Sequence, residues 1–229
     1  RQEESYWWYV GQQILLKQLL EKYYGLRKDV FSLDVGCGTG ITLSLLQKYG
    51  NVCGMDVADE AVEFCRKRGF EIKKSDVMNL SFEDKYFDVV TSLGVFYHKN
   101  VKDDVKGFQE VFRVLKKGGR FIIFDCALMS LYGKHDVAFH GIRRYSQKEL
   151  GDKLKRVGFE VEEVSYYTTL FFPLVYVKRK LEKLSKTAAS SDVKEEISPL
   201  LNTILLRLYC VELFFLKWLR YPFGVNIMV

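Results

Sequence analysis

The chain has 229 residues, of which 48% are hydrophobic and 28% are charged, as in one large globular domain with or without a small appendage. This composition excludes a disordered, a collagen-like or a disulfide-rich protein, and a formal net charge of +6 is too small to indicate nucleic-acid binding by itself. The five scattered cysteines include no CxxC pair, which favours free thiols and no metal site.

The sequence also predicts the compartment of the protein. The N-terminal residues show no basic segment followed by an apolar one, so we expect no signal peptide. No stretch of 18 uncharged apolar residues is present, so we expect no spanning helix. These features predict a cytoplasmic protein, with peripheral contact at the inner face of the membrane as a further expectation explained below.

The N-terminal two thirds alternate short apolar segments with amphipathic ones. An aromatic cluster, Tyr6-Trp7-Trp8-Tyr9, precedes a predicted helix over Gln12–Tyr24. Strands that alternate with helices predict an α/β fold, with a parallel sheet covered by helices on both faces. The predicted strands are Phe31–Val35, Val52–Asp56, Glu71–Ser75, Phe87–Leu93, Arg120–Cys126, Phe159–Tyr167 and Val225–Val229. The predicted helices between them are Thr42–Lys48, Glu60–Arg68 and Val105–Leu115, the last running on to Lys116-Lys117 before a turn at Gly118-Gly119.

The most informative segment is a glycine-rich loop after the first strand. It reads Asp34-Val35-Gly36-Cys37-Gly38-Thr39-Gly40 and stands between a strand and a helix, as a ligand-binding loop does. Glycine is needed where the backbone approaches a ligand or takes a positive φ. Ile41 occupies the position where a dinucleotide fingerprint has its third small residue, which disfavours pyrophosphate binding.

Two acidic residues follow the next two strands. Asp56, with Val57 after it, ends the second strand and is suited to accept hydrogen bonds from both hydroxyls of a ribose. Asp76 ends the third strand and can accept a hydrogen bond from an adenine amino group, while Val77 packs against the ring. Together with the glycine loop, this pair predicts an adenosine site.

These motifs, together with the later segments Phe87-Asp88-Val89-Val90 and Glu110–Gly119, resemble those of class I S-adenosylmethionine-dependent methyltransferases over about residues 25–167. The resemblance implies a Rossmann-like, seven-stranded sheet whose last strand is antiparallel. It implies S-adenosylmethionine as the cofactor. Its binding residues would be Asp34, Gly36, Cys37, Gly38, Gly40, Asp56, Val57, Asp76, Val77 and Leu93, the last beside the sulfonium.

The resemblance also implies a division of the chain. We expect a helical lid over residues 1–30, the cofactor-binding core over 31–167, a helical insertion or cap over 168–223 and the final core strand over 224–229. Related enzymes often place an arginine near Gln12-Gln13 to bind the cofactor carboxylate, and this chain has none there.

Two histidines are candidates for the catalytic base. His98 follows the fourth strand and His140 lies in the segment after the fifth, at the edge of the sheet where ligands bind. A structural histidine or a surface histidine is the alternative for each. The segment from His135-Asp136 through Glu149-Leu150 to Gly158-Phe159 is similar to that region of ubiquinone-biosynthesis-type O-methyltransferases and of methyltransferases associated with surface-glycan synthesis.

The expected reaction is methyl transfer to an oxygen of a small-molecule, lipid-linked or glycan acceptor. The alternatives are an RNA or protein methyltransferase, with nucleic acid disfavoured by the small charge excess, and a cofactor-binding module without catalysis.

The C-terminal quarter differs in character from the rest. Leu170–Leu184 is aromatic and basic, Ser185–Ser191 reads as a loop, and Ser198–Arg220 as a long apolar helix that ends at Tyr221-Pro222-Phe223-Gly224. Apolar residues with a basic border suit a membrane surface, which predicts membrane contact through residues 171–220. A buried cap and a homodimer face are the alternatives.

Overall fold

The computed structural model describes residues 2–184 and 197–229, and within them the strands form one seven-stranded sheet of order β3-β2-β1-β4-β5-β7-β6. Strands β1 to β5 pair in parallel, and β7 lies antiparallel between β5 and β6. The predicted α/β fold and its antiparallel last strand are thus confirmed. The strands are β1 Val30–Val35, β2 Gly50–Asp56, β3 Glu71–Lys74, β4 Phe87–Leu93, β5 Leu115–Cys126, β6 Ser165–Tyr167 and β7 Asn226–Met228.

Helices cover both faces of the sheet. In chain order they are α1 Gln2–Ser5, α2 Trp7–Tyr24, α3 Ile41–Leu46, α4 Asp59–Lys67, α5 Asp104–Val114, α6 Lys134–Ala138, α7 Gln147–Val157, α8 Phe172–Leu184 and α9 Pro199–Phe215, with a short 3-10 helix at Met129–Leu131. The predicted loop Ser185–Ser191 lies outside the described residues.

The alternation of side chains along the central strands builds two apolar cores, one on each face. Val90 of β4 packs with Phe108 of α5 and Leu150 of α7, whereas Val89 packs on the other face with α2 and α9. Neighbouring strand residues point to opposite faces, so a strand covered on both sides needs apolar residues at successive positions. The carboxyl ends of the parallel strands β1 to β4 meet at one edge of the sheet.

Several predicted boundaries were wrong. Helix α2 begins at Trp7, so most of the aromatic cluster lies inside the helix and does not precede it. Helix α5 ends at Val114, and Gly118-Gly119 belongs to an irregularity in the pairing of β5 with β4, where the pairing passes from Leu115 to Arg120. A bulge adds unpaired residues to one strand, and Gly118 accommodates it with a φ of +78°.

Two further elements are shorter than predicted. Strand β6 pairs only over Ser165–Tyr167, because its partner β7 is itself only three residues long. Helix α9 ends at Phe215, and a turn follows it before Arg220. In the described part of the chain, no helix combines the length and the hydropathy needed to cross a membrane.

Candidate cofactor and acceptor site

A cleft of about 450 Å³ opens where β1, β2, β3 and β4 end. That volume lies in the range of small-ligand sites, and the position is the one where open parallel sheets bind ligands. The residues that line it are Val35, Gly36, Met55, Asp56, Val57, Ala58, Asp76, Val77, Gly94, Val95, His98, Lys99, Asn100, Val101 and His140.

The glycines of the loop after β1 all have left-handed backbone conformations, but the space beside each Cα differs. The φ values of Gly36, Gly38 and Gly40 are +71°, +50° and +79°. A Cβ on Gly36 would lie 2.4 Å from Cγ2 of Val95, and one on Gly40 would lie 2.9 Å from Sγ of Cys65. A Cβ on Gly38 would meet no protein atom within 4 Å, so at that position the loop leaves open space.

Backbone donors fix the loop against β2. The N–H groups of Gly36 and Cys37 donate to the carbonyl of Met55 at 2.9 and 3.0 Å. The N–H of Gly38 donates to Oδ2 of Asp56 at 3.0 Å, and the N–H of Ala58 donates to Oδ1 at 3.0 Å. Each carboxylate oxygen of Asp56 therefore has one protein donor and one remaining lone pair, at the lining of the cleft.

Asp76 and Val77 lie at the far end of the same cleft. Oδ1 of Asp76 accepts a hydrogen bond from the N–H of Met78 at 2.8 Å, and its side chain is otherwise exposed. Val77 is buried in the larger apolar core and also contributes to the cleft wall. A flat ring would therefore have an apolar surface beside a carboxylate acceptor.

Other predicted cofactor residues support the cleft without lining it. Asp34 is buried beneath the loop and accepts a 2.6 Å hydrogen bond from the Thr91 hydroxyl, and burial raises the pKa of its carboxyl to about 7, with Asp56 adding to the effect. Cys37 and Gly40 pack beneath the loop toward Cys65.

Leu93 packs with the second core, and Gly94 and Val95 line the cleft in its place. Gly94 and Val95 were not predicted as site residues, although their position directly after β4 was a usable signal.

The second half of the cleft contains both candidate histidines. The ring centroids of His98 and His140 are 5.9 Å apart, and both residues line the cleft. Burial lowers the pKa of His98, and the neighbouring His140 and Lys99 lower it further. Nδ1 of His98 accepts a 3.1 Å hydrogen bond from the N–H of Asn100, so the neutral ring carries its proton on Nε2.

The N-terminal residues reach the glycine loop from outside. The hydroxyl of Thr39 donates to the Glu3 carboxylate of α1, and Nε2 of Gln13 donates to the hydroxyl of Thr42 at 3.3 Å. Oε1 of Gln13 is buried and has no hydrogen-bond partner within the described residues. These contacts were not predicted, because no spacing rule connects α1 and α2 to a loop 30 residues away.

Comparison with known proteins agrees with this geometry. Residues 33–123 match the family model described as a methyltransferase domain. The chain is 36% identical over 96 residues to a probable tRNA methyltransferase 9B from Mus musculus, covering 42% of this chain and 21% of that protein. It is 33% identical over 150 residues to a 24-methylenesterol C-methyltransferase 2 from Oryza sativa subsp. japonica, covering 56% of this chain and 41% of the relative.

The structure of a putative methyltransferase from Bacillus halodurans has the same fold, with a TM-score of 0.62 at 18% identity over 93% of this chain and 96% of that one. The chain spans less than half the length of the two curated relatives. The motifs, the sheet and the cleft agree with this match, so residues 33–123 form a methyltransferase domain of the kind that uses S-adenosylmethionine as its cofactor.

Proposed function

We propose that this protein transfers the methyl group of S-adenosylmethionine to an oxygen atom of a small-molecule or lipid-linked acceptor bound at the histidine half of the cleft. The observation that carries the proposal is the set of side chains that line the cleft. It combines two carboxylates with two histidines and only one lysine. A phosphate-rich polymer needs several cationic contacts, so this lining favours a compact acceptor over RNA.

The residues present fit the cofactor. The free lone pairs of Asp56 suit the two ribose hydroxyls, and Asp76 with Val77 suits the adenine. The open space above Gly38 gives the middle of the ligand room against the backbone. The unpartnered Oε1 of Gln13 would accept a hydrogen bond from the amino group at the methionine end, but it cannot bind the carboxylate that the missing arginine would have bound.

The reaction places modest demands on these residues. When bound, S-adenosylmethionine supplies an electrophilic methyl group on its sulfonium. The protein has to align the acceptor oxygen with that methyl group and to exclude water. Gly94 and Val95 line the cleft directly after β4, so they would limit how closely the acceptor approaches.

The two histidines would have different roles. Since Nδ1 of His98 is occupied by the Asn100 N–H, its Nε2–H would donate a hydrogen bond to the cofactor or the acceptor. His140 is exposed at the rim of the cleft and would remove the acceptor proton. Replacing a general base lowers kcat by about 10²–10⁴-fold. We therefore expect His140→Ala to lower kcat by that range with unchanged cofactor affinity, and His98→Gln to have a smaller effect.

The acceptor class is tested by labelling. Purified protein with methyl-labelled S-adenosylmethionine is incubated separately with a total lipid extract, aqueous metabolites, RNA and protein. Label that partitions into the lipid or metabolite fraction is the expected result.

The name of the mouse relative gives RNA as the rival acceptor, and the rice relative indicates carbon as the rival atom. Label that ribonuclease releases would exclude the proposed acceptor class, and methylated carbon in the product would exclude oxygen. Calorimetric binding of the cofactor without transfer to any fraction would support a binding module.

A further inference from the structure

Helix α9 leaves one face uncovered by the described part of the protein. Its opposite face is buried through Tyr209 and Leu213, which pack with α2 in the second core. The uncovered positions recur every three or four residues, so they form one stripe along the helix over roughly 25 Å. The exposed apolar residues of this outward face are Leu200, Ile204, Leu208, Val211 and Phe215, with Leu200 exposed by 73%, and Trp218 in the turn after the helix is exposed by 66%.

Helix α8 has a second exposed stripe of the same kind. Leu170, Leu174, Val177 and Leu181 follow the spacing of one helix face, and Leu174 is exposed by 72%. The opposite side is anchored by Arg179, whose buried guanidinium donates to the carbonyl of Leu131 at 3.1 Å. Exposed apolar side chains at helical spacing on two helices are unusual for a monomeric protein and indicate an interaction surface.

The segment that leads into α8 is held to α9 and to the residues that follow α9. The carboxylate of Glu212 in α9 accepts hydrogen bonds from the N–H groups of Thr169 and Leu170, both at 2.9 Å. The rings of Phe172 and Phe223 lie 5.1 Å apart between centroids. The start of α8 is therefore fixed to the middle and end of the α9 segment.

The exposed charged side chains that α8 and the α9 segment themselves carry have one sign. Within residues 170–182 and 197–229, Glu182 and Glu212 are shielded from solvent, the first beside Arg179 and the second by the contacts just described. The exposed charged side chains in those ranges are Lys178, Lys180, Arg207, Lys217 and Arg220. Two of them have carboxylate partners: Arg220 donates to Glu163, and Nζ of Lys178 lies 3.8 Å from Oε1 of Glu182.

We propose that the outward faces of α8 and α9 dock on the surface of a lipid bilayer that contains anionic lipids. Aliphatic and aromatic side chains would enter the boundary between headgroups and acyl chains, and Lys180, Arg207 and Lys217 would meet the lipid phosphates. A second copy of the chain fits less well, because a two-fold contact would place these like charges against each other. This inference does not rest on the acceptor proposed above, since the stripes lie outside the residues of the cleft.

The test is co-sedimentation of the full chain with vesicles of phosphatidylcholine alone or mixed with phosphatidylglycerol. We expect the protein to bind the mixed vesicles and to bind neutral vesicles much less. Each cation at such a surface contributes about 1 kcal/mol, or roughly fivefold in affinity, so Arg207→Glu with Lys217→Glu should weaken binding by more than about 25-fold. Ile204→Glu with Val211→Glu should weaken it by more than about tenfold through lost apolar burial.

Matched control variants test whether the loss of vesicle binding is specific to the α9 substitutions or follows from any change in surface charge or apolar exposure. Lys148→Glu with Lys155→Glu changes the net charge equally on α7, and Leu26→Glu removes an exposed apolar side chain that belongs to neither α8 nor α9. Both controls should bind vesicles as the unmodified chain does, and circular dichroism of every variant checks that it is folded.

Three outcomes would overturn the proposal. One is that the unmodified chain sediments to the same extent with vesicles as without them. Another is equal binding by the α9 variants and the controls. The third is a dimer in light scattering that dissociates with Ile204→Glu and Val211→Glu while vesicle binding is absent, which would assign the surface to a second copy.

Discussion

The glycine loop after β1 and the outward face of α9 illustrate two ways of building a binding surface. In the loop, positive φ values and missing side chains bring the backbone to the cleft, and the N–H groups of the loop are fixed to Met55 and Asp56. On α9, the backbone is an ordinary helix, and the exposed side chains alone define the surface. Substitutions should therefore alter structure and affinity together in the loop, but affinity without stability on the α9 face.

The largest effect is expected at the loop. Gly36→Val would place a side chain against Val95 and force a branched residue into a left-handed conformation, at a combined cost of about 4 kcal/mol. Calorimetry should then detect no cofactor binding. Gly118→Val, which has a similar φ but no neighbour within 4 Å, should retain binding. Loss of binding in both variants would show that left-handed strain alone is responsible.

Two positions on α9 sharpen the contrast within one helix. Leu213 is fully buried, and Leu213→Ala should reduce the free energy of unfolding by about 2–5 kcal/mol. Val211 is exposed, and Val211→Ala should change it by less than about 0.5 kcal/mol. Chemical denaturation measures both values, and similar losses at the two positions would mean that the outward face is covered.

The stability of the protein is expected to depend on pH through the buried carboxyl of Asp125 in β5. Burial raises the pKa of Asp125 to about 7, although the N–H of Cys126 donates to its Oδ1 at 2.7 Å. The folded protein therefore binds this proton more tightly than the unfolded chain, so the contribution of Asp125 to stability decreases as the pH rises from about 4 to about 7. The amide that replaces this carboxyl cannot ionise, so between these pH values the free energy of unfolding of Asp125→Asn should fall by about 2–4 kcal/mol less than that of the unmodified chain.

Urea titrations at several pH values measure this difference. Asp103→Asn, at an exposed position that caps α5, is the control and should leave the slope with pH unchanged. An identical slope for Asp125→Asn and the unmodified chain would contradict a raised pKa.

The smallest effect on cofactor binding is expected at Asp56, a single side chain beside the glycine loop. Asp56→Ala removes two lone pairs that face the cleft, and it should weaken cofactor binding by about 1–3 kcal/mol. Glu60→Ala, on the exposed side of α4, should leave the affinity unchanged. Unchanged affinity for Asp56→Ala would remove this residue from the site, and equal melting temperatures without ligand would show that the loop is intact.

The amino-acid sequence by itself determined the sheet, most of its helices and the glycine loop with its two acidic partners. These features depend on local rules, because side-chain period, strand-to-helix turns and glycine conformation act over a few residues. Strand ends were less certain. Strand β6 is limited by its three-residue partner β7, which lies more than fifty residues further along the chain.

Only the tertiary structure decided which predicted residues face the cleft. Leu93 and Gly94 are neighbours in sequence, yet the pleat of β4 directs the first into the core and leaves the second at the cleft. The contacts of Glu3 with the loop and of Gln13 with Thr42 in α3, and the division of α9 into a buried and an exposed face, depend on how distant elements pack. Packing of that kind is a property of the whole fold, because each contact joins segments that no local pattern connects.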